Sequence, residues 1–453
     1  MPGMNRRGFH FIFLAIPLVC LCSVLFYFLP PVHQRLAWRV DNVRAQIKYA
    51  LNPPDEAIFI PQQIEPIVQA TFQALTPAAS PTLPPTPTPT ATIRSAVPTG
   101  TPSANVFARS PTPTSTSIPL PEKEVLDGVK YEDQHGRWNY CGPSNLSMSL
   151  TYWGWDGNRD VVGQYVKPED KDRNVMPYEM QDFVETQTTN MSALIRYGGD
   201  IDLIKRMIAG GFPVLVEKGY YEYDYTGKLG WMGHYQFVTG YDDAKSVLTV
   251  QDTYVKDGRD HQTSYAEFMG GWRSFDYLFL IVYPKSRQPD VLALLGPYAD
   301  PVWANQHALE VAMAESQSLD GIDEFFAWFN RGTSHVNLQA YSDAASEFDY
   351  AFQLYADLSD DDTTRPYRMM WYQTWPYWAY YYTGRYQDVI NLADTTLEDT
   401  ISEPVLEESF YWRALAREAQ GDQKGAIKDL KESIQLNPHF TPGKEQLARL
   451  EGG

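Results

Sequence analysis

The sequence predicts an α+β domain, helical in its front half and antiparallel sheet in its back half, followed by an all-α helical-repeat domain. Three observations carry that prediction. Four runs rich in β-branched and aromatic residues fall between residues 212 and 284: FPVLVEKG (212–219), HYQFVTGYD (234–242), SVLTVQD (246–252) and YLFLIVYP (277–284). Gly or Asp turns separate them, the signature of short strands joined by hairpins. Helical periodicity dominates before them, and it returns from about Pro289 with an internal repeat.

The N-terminal end comes first in order. Residues 1–8 form a short tail, and Phe9 to Leu29 is almost entirely apolar. Its length suits a transmembrane helix across a hydrocarbon core of roughly 30 Å. His10 and Pro17 are the exceptions, and Pro is tolerated in membrane helices. A cleaved signal peptide is the rival, but the run is long for one and no small-x-small cleavage site follows. Neither Cys20 nor Cys22 follows the small residue that lipoprotein processing requires. Arg35, Arg39, Arg44 and Lys48 after the span, against Arg6 and Arg7 before it, favour the C-terminal side inside by charge.

Composition further along argues the other way. Residues 30–75 form a juxtamembrane segment in which Ile64–Leu75 reads as a short amphipathic helix. Residues 76–121 are mostly Pro, Thr, Ser and Ala, as in PTLPPTPTPTAT. Such a stretch builds no core and favours polyproline II, so it reads as a disordered linker. Stalks of this kind place the bulk of the chain outside the cytoplasm, on a single-pass membrane protein. The net charge of −19 argues against a nucleic-acid partner.

The α+β domain is expected over 122–286. A helix starts at Cys141, with Leu146, Leu150 and Trp153 on one face and Gly154 as its stop. Asp200 caps a second helix, DIDLIKRMIA. Over 287–453 the same x3, x2 spacing recurs in Ala344-x3-Phe348-x2-Ala351, Val389-x3-Ala393-x2-Thr396 and Ala426-x3-Leu430-x2-Ser433, the last being the strongest match. These stretches resemble tetratricopeptide repeats, which implies helix pairs and a concave face for a protein partner.

The chemistry centres on Cys141, the one cysteine outside the apolar N-terminal run, in the phrase YCGPSNLSMSLTYWGW (140–155). A thiol attacks a carbonyl carbon as thiolate, and a helix N-terminus and a nearby imidazolium both favour that form. Pro143 suits the first helical turn. Of the three histidines in this domain, His234 opens a strand, whereas His135 and His261 sit in polar surroundings. A hairpin through YDDAKS would return Asp252 to the side of His234, with Asp242 and Asp243 as rivals. Oxyanion donors would come from the Cys141 N–H and the Gln134 side chain, with Asn139 as a substitute. The aromatic clusters KGYYEYDY (218–225) and WYQTWPYWAYYY (371–382) read as packing, the first also as a glycine-flanked loop beside a cleft. No spacing suggests a metal or another cofactor.

Together, Gln134 ahead of WNYCGPSNLSMSLTYWGW, then GHYQFVTGYDD, then VQDTY, resemble the bacteriocin-processing (double-glycine-leader) type of cysteine peptidase in the papain-like superfamily. The resemblance implies a papain-like fold with Cys141 as nucleophile, His234 as base, Asp252 as its orienting group and Gln134 in the oxyanion hole. The family places its Gln six residues before the Cys, against seven here. The expected function is a membrane-anchored, extracytoplasmic thiol hydrolase acting on a peptide or protein substrate. The alternative is a catalytically silent binding module on a repeat scaffold.

Overall fold

The computed structural model describes residues 43, 59–61, 119–223, 229–358, 365–399 and 404–452. The apolar run 9–29, the helix read at 64–75 and almost all of the Pro/Thr-rich stretch lie outside them. Among the described residues, no helix is long and apolar enough to cross a membrane.

The chain order is β1 (Lys123–Val125), α1 (Cys141–Tyr152), α2 (Arg159–Val166), α3 (Pro177–Gln187), β2 (Met191–Arg196), α4 (Ile201–Ala209), β3 (Val214–Tyr223), β4 (Leu229–Asp242), β5 (Val247–Gln251), β6 (His261–Ser264), α5 (Tyr265–Arg273) and β7 (Phe279–Pro284). The strands form one antiparallel sheet in the order β2-β7-β3-β4-β5-β6, with β1 also pairing β4. Residues alternate between its two faces, as strand geometry requires. Leu215, Tyr235, Phe237, Leu280 and Val282 pack against Leu146, Leu150, Val162, Met180 and Phe183 of α1, α2 and α3. Val214, Val216, Val238, Phe279 and Ile281 pack against Leu203, Ile204, Met207, Phe268 and Trp272 of α4 and α5. The α4 cap is as expected: Asp200 accepts from the Leu203 N–H at 2.6 Å.

The sheet differs from the sequence reading in one consequential way. KGYYEY is strand and not loop: β3 runs to Tyr223 and pairs residue for residue with Leu229–Gly233. His234 therefore lies inside β4 rather than at its mouth. The cause is non-local. Tyr221 stands opposite Trp231, and Trp231 is 1% exposed because Phe275, Phe326 and Tyr372, all far along the chain, cover it. Strand pairing of this sort depends on packing partners that a local pattern does not contain.

Those partners belong to a helical body: α6 (Gln288–Leu295), α7 (Pro301–Glu315), α8 (Gly321–Asn337), α9 (Tyr341–Asp357), α10 (Met369–Tyr372), α11 (Trp375–Tyr382), α12 (Tyr386–Asp394), α13 (Glu407–Ala419), α14 (Gln423–Leu436) and α15 (Thr441–Glu451). The repeat positions Ala344, Phe348, Ala351, Val389, Ala393, Ala426 and Leu430 are all buried at helix contacts. Gly332 shows why small residues recur: a Cβ there would meet Phe348 Cε1 at 2.6 Å, so α8 and α9 approach closely only without it.

The two parts share one core. Trp231, Phe275 and Leu278 of the α+β part cluster with Phe325, Phe326, Phe329, Tyr367, Trp371 and Tyr372 of the helical body. Polar ties flank it: Arg273 pairs with Glu315 at 2.9 Å and Asp323 at 3.0 Å, and Asn330 Nδ2 donates to the Arg273 carbonyl at 2.7 Å. Phe59 is buried in the same cluster, edge-on to Phe352 at 5.1 Å. Trp231→Ala removes the central ring and is expected to cost about 3–5 kcal/mol. Chemical denaturation of the full chain reads that loss directly.

Candidate active site

Cys141 is the first residue of α1, and no side chain caps this helix. The first N–H groups of an α-helix have no intrahelical acceptor, so they remain for another partner. Here the sulfur accepts hydrogen bonds from backbone groups of Tyr235 and Gly142. Asn145, fully buried, ties the helix to the sheet: its Nδ2 donates to the Cys141 carbonyl and the Tyr235 carbonyl, both at 2.9 Å. The thiol is half-buried at the end of the helix that faces β4.

His234 is 3% exposed, and its Nε2 lies 3.2 Å from Asp252 Oδ1. The ring also hydrogen-bonds the Cys141 sulfur. With Nε2 directed at the carboxylate, Nδ1 is the nitrogen left for the thiol. The β4–β5 hairpin brings Asp252 there, just past the end of β5. Three further donors hold that carboxylate: the N–H groups of Tyr254 (2.9 Å) and Val255 (3.2 Å) on Oδ1, and Gln236 Nε2 (2.6 Å) on Oδ2. The backbone of Asp252 is fixed as well, by Tyr131 Oη on its carbonyl at 2.8 Å and by its own N–H on Gly258 O at 2.8 Å.

Gln134 is nearly buried, and its side-chain oxygen accepts from Thr253 Oγ1 at 2.8 Å. That bond orients the amide. The extra residue between Gln134 and Cys141 is absorbed by a turn: the Arg137 N–H donates to the Gln134 carbonyl at 3.1 Å, with Gly136 at φ 84°. The substitute donor Asn139 is engaged elsewhere, its Nδ2 on the Asp172 carbonyl at 3.0 Å. The rival groups are also placed apart from the thiol. His135 is exposed and bonds the Tyr254 carbonyl, and His261 is exposed on β6. Asp242 pairs with Lys123 and Asp243 with Lys205.

The electrostatics follow from this placement. Burial opposes the thiolate, but the hydrogen bond and charge of His234, aided by the Tyr235 and Gly142 backbone, outweigh it and lower the Cys141 pKa. Burial likewise opposes the imidazolium, but Asp252 and then Cys141 push the His234 pKa up to about 10. Asp252 is held well below the usual carboxylate range, because His234, the Tyr254 N–H and Gln236 together overcome its burial. Both shifts favour a thiolate beside an imidazolium, the form in which a cysteine is nucleophilic.

Two positioning residues escaped the sequence reading. Gln236 lies two residues after His234 and so shares its face of β4, a signal that strand alternation carries. Asn145, one helical turn after Cys141, looked like an ordinary polar residue in a helix.

Residues 126–278 match the model of the Peptidase_C39 like family. The match supports a cysteine peptidase-like domain in this stretch. It spans about a third of the 453-residue chain. A crystal structure of a Bacillus anthracis protein described as a C39-like peptidase is similar at 16% identity, covering 36% of this chain and 97% of that one, with a TM-score of 0.29. A MamA RS-1 ArsTM double mutant is similar at 15% identity, covering 33% of this chain and 75% of that one, with a TM-score of 0.27. No curated protein matches the chain.

Within this stretch the arrangement holds groups that acyl-transfer chemistry can use. The nucleophile's charge is favoured by a base, the base bonds an orienting carboxylate, and the first N–H groups of the helix lie beside the nucleophile. Away from it, among the described residues, one set of carboxylates has the spacing to share a cation: Glu179, Glu407 and Glu408, whose oxygens lie within 4.8 Å of one another. Protein donors already serve them. Asn437 Nδ2 bonds Glu179 Oε1 at 2.6 Å and Glu407 Oε1 at 2.7 Å, and Tyr178 Oη bonds Glu408 Oε1 at 2.7 Å. Burial holds all three above the usual carboxylate range, with mutual repulsion adding for Glu179 and Glu407, so they are weak ligands.

Proposed function

We propose that this chain is a membrane-anchored, extracytoplasmic cysteine peptidase-like hydrolase that cleaves a peptide or related amide bond. The observation that carries the reading is the line from Cys141 through His234 to Asp252: His234 Nε2 lies 3.2 Å from Asp252 Oδ1, and the same ring lowers the Cys141 pKa. Cys141 Sγ attacks the carbonyl carbon, and the oxyanion is held by the Cys141 N–H and Gln134 Nε2. His234 gives its proton to the departing amine as the C–N bond breaks, leaving an acyl-enzyme. It then takes a proton from water, whose oxygen displaces the sulfur and regenerates the thiolate. Asp252 keeps the ring oriented throughout and stabilises its charged form.

The remaining parts follow the sequence. Residues 9–29 anchor the chain in the membrane, and the Pro/Thr-rich linker within 76–121 tethers the folded body outside the cytoplasm. The helical body, read as tetratricopeptide-like repeats, recruits a protein partner or substrate. Cys141→Ala is expected to abolish cleavage and acyl-enzyme formation while leaving the melting curve unchanged. Intact-mass spectrometry after incubation with peptide thioesters detects the acyl-enzyme. Turnover that persists in Cys141→Ala sinks the proposal.

A further inference from the structure

The helical body reaches the thiol–imidazole pair. Tyr372, the last residue of α10, lays its ring against Gly233, the neighbour of His234. A Cβ at Gly233 would lie 2.6 Å from Tyr372 Cδ1 and 2.8 Å from Phe275 Cζ, so only glycine admits the ring at this depth. Trp231 and Phe275 hold it edge-on, with ring centroids 5.6 Å and 6.1 Å away. The next residue locks the segment: Gln373 Nε2 donates to the Ser274 carbonyl at 2.6 Å. Two further tyrosines stand against the His234 ring itself. The Tyr220 ring is 5.5 Å from His234 and 6.4 Å from Tyr254, which is 6.3 Å from His234. The phenols of Tyr220 and Tyr372 are both raised first by burial, with the Cys141 charge a further cause in each.

We infer that the helical body is part of the cleft, with Tyr372 a specificity-determining residue that, beside Tyr220 and Tyr254, limits the size of the group reaching Cys141. The inference rests on the hydrolase reading for its meaning but not for its test. It also gives Gly233 a role: the residue before His234 is glycine so that a ring from a distant segment can close the cleft wall. Activity then depends on the helical body as an intact wall and not only as a docking surface.

The test uses the full chain and two thiol reagents, iodoacetamide and the much larger fluorescein-5-maleimide. Labelling is followed at Cys141 by peptide mass spectrometry, because Cys20 and Cys22 also carry thiols. Both reagents attack the thiolate, so its activation cancels in the ratio of their rates. Tyr372→Ala is expected to raise the large-to-small ratio about 10-fold, and Tyr372→Phe to restore the wild-type ratio. If the alanine variant fails to fold, Tyr372→Leu, which lacks the outer half of the ring, is read in the same way. A folded variant with an unchanged ratio overturns the inference. An ordinary thiol pKa in the wild type overturns the hydrolase reading instead, and leaves the ratio test intact.

Discussion

His234→Ala is expected to slow iodoacetamide labelling of Cys141 near pH 6 by about 100-fold. The wild-type thiol is held down by the hydrogen bond and charge of His234, against the cost of burial. Removing the ring leaves burial unopposed except by the Tyr235 and Gly142 backbone, so the pKa returns to about 8.5 or above. At a pH about 2.5 units below that value, fewer than about one thiol in a hundred is ionised. Asp252→Ala should have much of the same effect, because a buried imidazole without its carboxylate loses its proton. Gln236→Leu should be milder, since Asp252 keeps two backbone donors. Labelling near pH 9 serves as the control, where all variants should converge.

Glu407→Gln is expected to raise the melting temperature near pH 8 by roughly 3–10 °C, and to change it little near pH 4. Glu407 of α13 is buried where the helical body meets α3. Burial, then the charges of Glu408, Asp172 and Glu179, raise its pKa well above the ordinary value, and only Asn437 opposes them. Asp172 beside them is raised to about 7, chiefly by burial, despite Lys167. A carboxyl group with a raised folded-state pKa contributes stability that is complete below its unfolded value and is lost as pH rises through its folded value. The junction between the two parts should therefore weaken as pH climbs from about 4 past 7. Lys167, whose ammonium is also disfavoured by burial, works in the opposite sense in more alkaline solution. Tyr178, Arg173, Asp170 and Glu169 are further titratable groups nearby, and Tyr178 stays protonated with its hydroxyl on Glu408. The amide at position 407 keeps the Asn437 hydrogen bond and removes the charge. A melting curve at each pH for both proteins isolates that one group. A gain of equal size at every pH would assign it to packing instead.

Much of the α+β part was legible because its signals are local. The Asp200 cap, the Gly154 stop and the four apolar runs each depend on residues within a turn or a strand. The nearness of His234 and Asp252 follows from one hairpin, whose register the turn sets. The extension of β3 and β4 through Tyr223 and Leu229 was not legible. Its apolar face is satisfied by α8 and α10, and no local pattern names a partner so far along the chain. β2 and β6 were missed for a related reason: Met191–Arg196 and His261–Ser264 are short, and neither alternates cleanly. Tyr372 looked like one tyrosine among many in an aromatic run. Only the fold shows that its ring, unlike those around it, rests against the residue beside His234. The spacing of Gln134 could be counted but not interpreted until the turn at Gly136 was seen.

The most direct measurement is the rate of iodoacetamide labelling at Cys141 in the wild-type chain from pH 4 to 9. The expected result is a rate that rises with a midpoint clearly below the ordinary thiol value of about 8.5 and then holds level. That profile means a thiolate stabilised by His234, the form that acylation requires. A single rise centred near that ordinary value contradicts the hydrolase reading. Cys141 would then be an inert thiol at a helix end, and the domain a binding module whose function lies with its helical body.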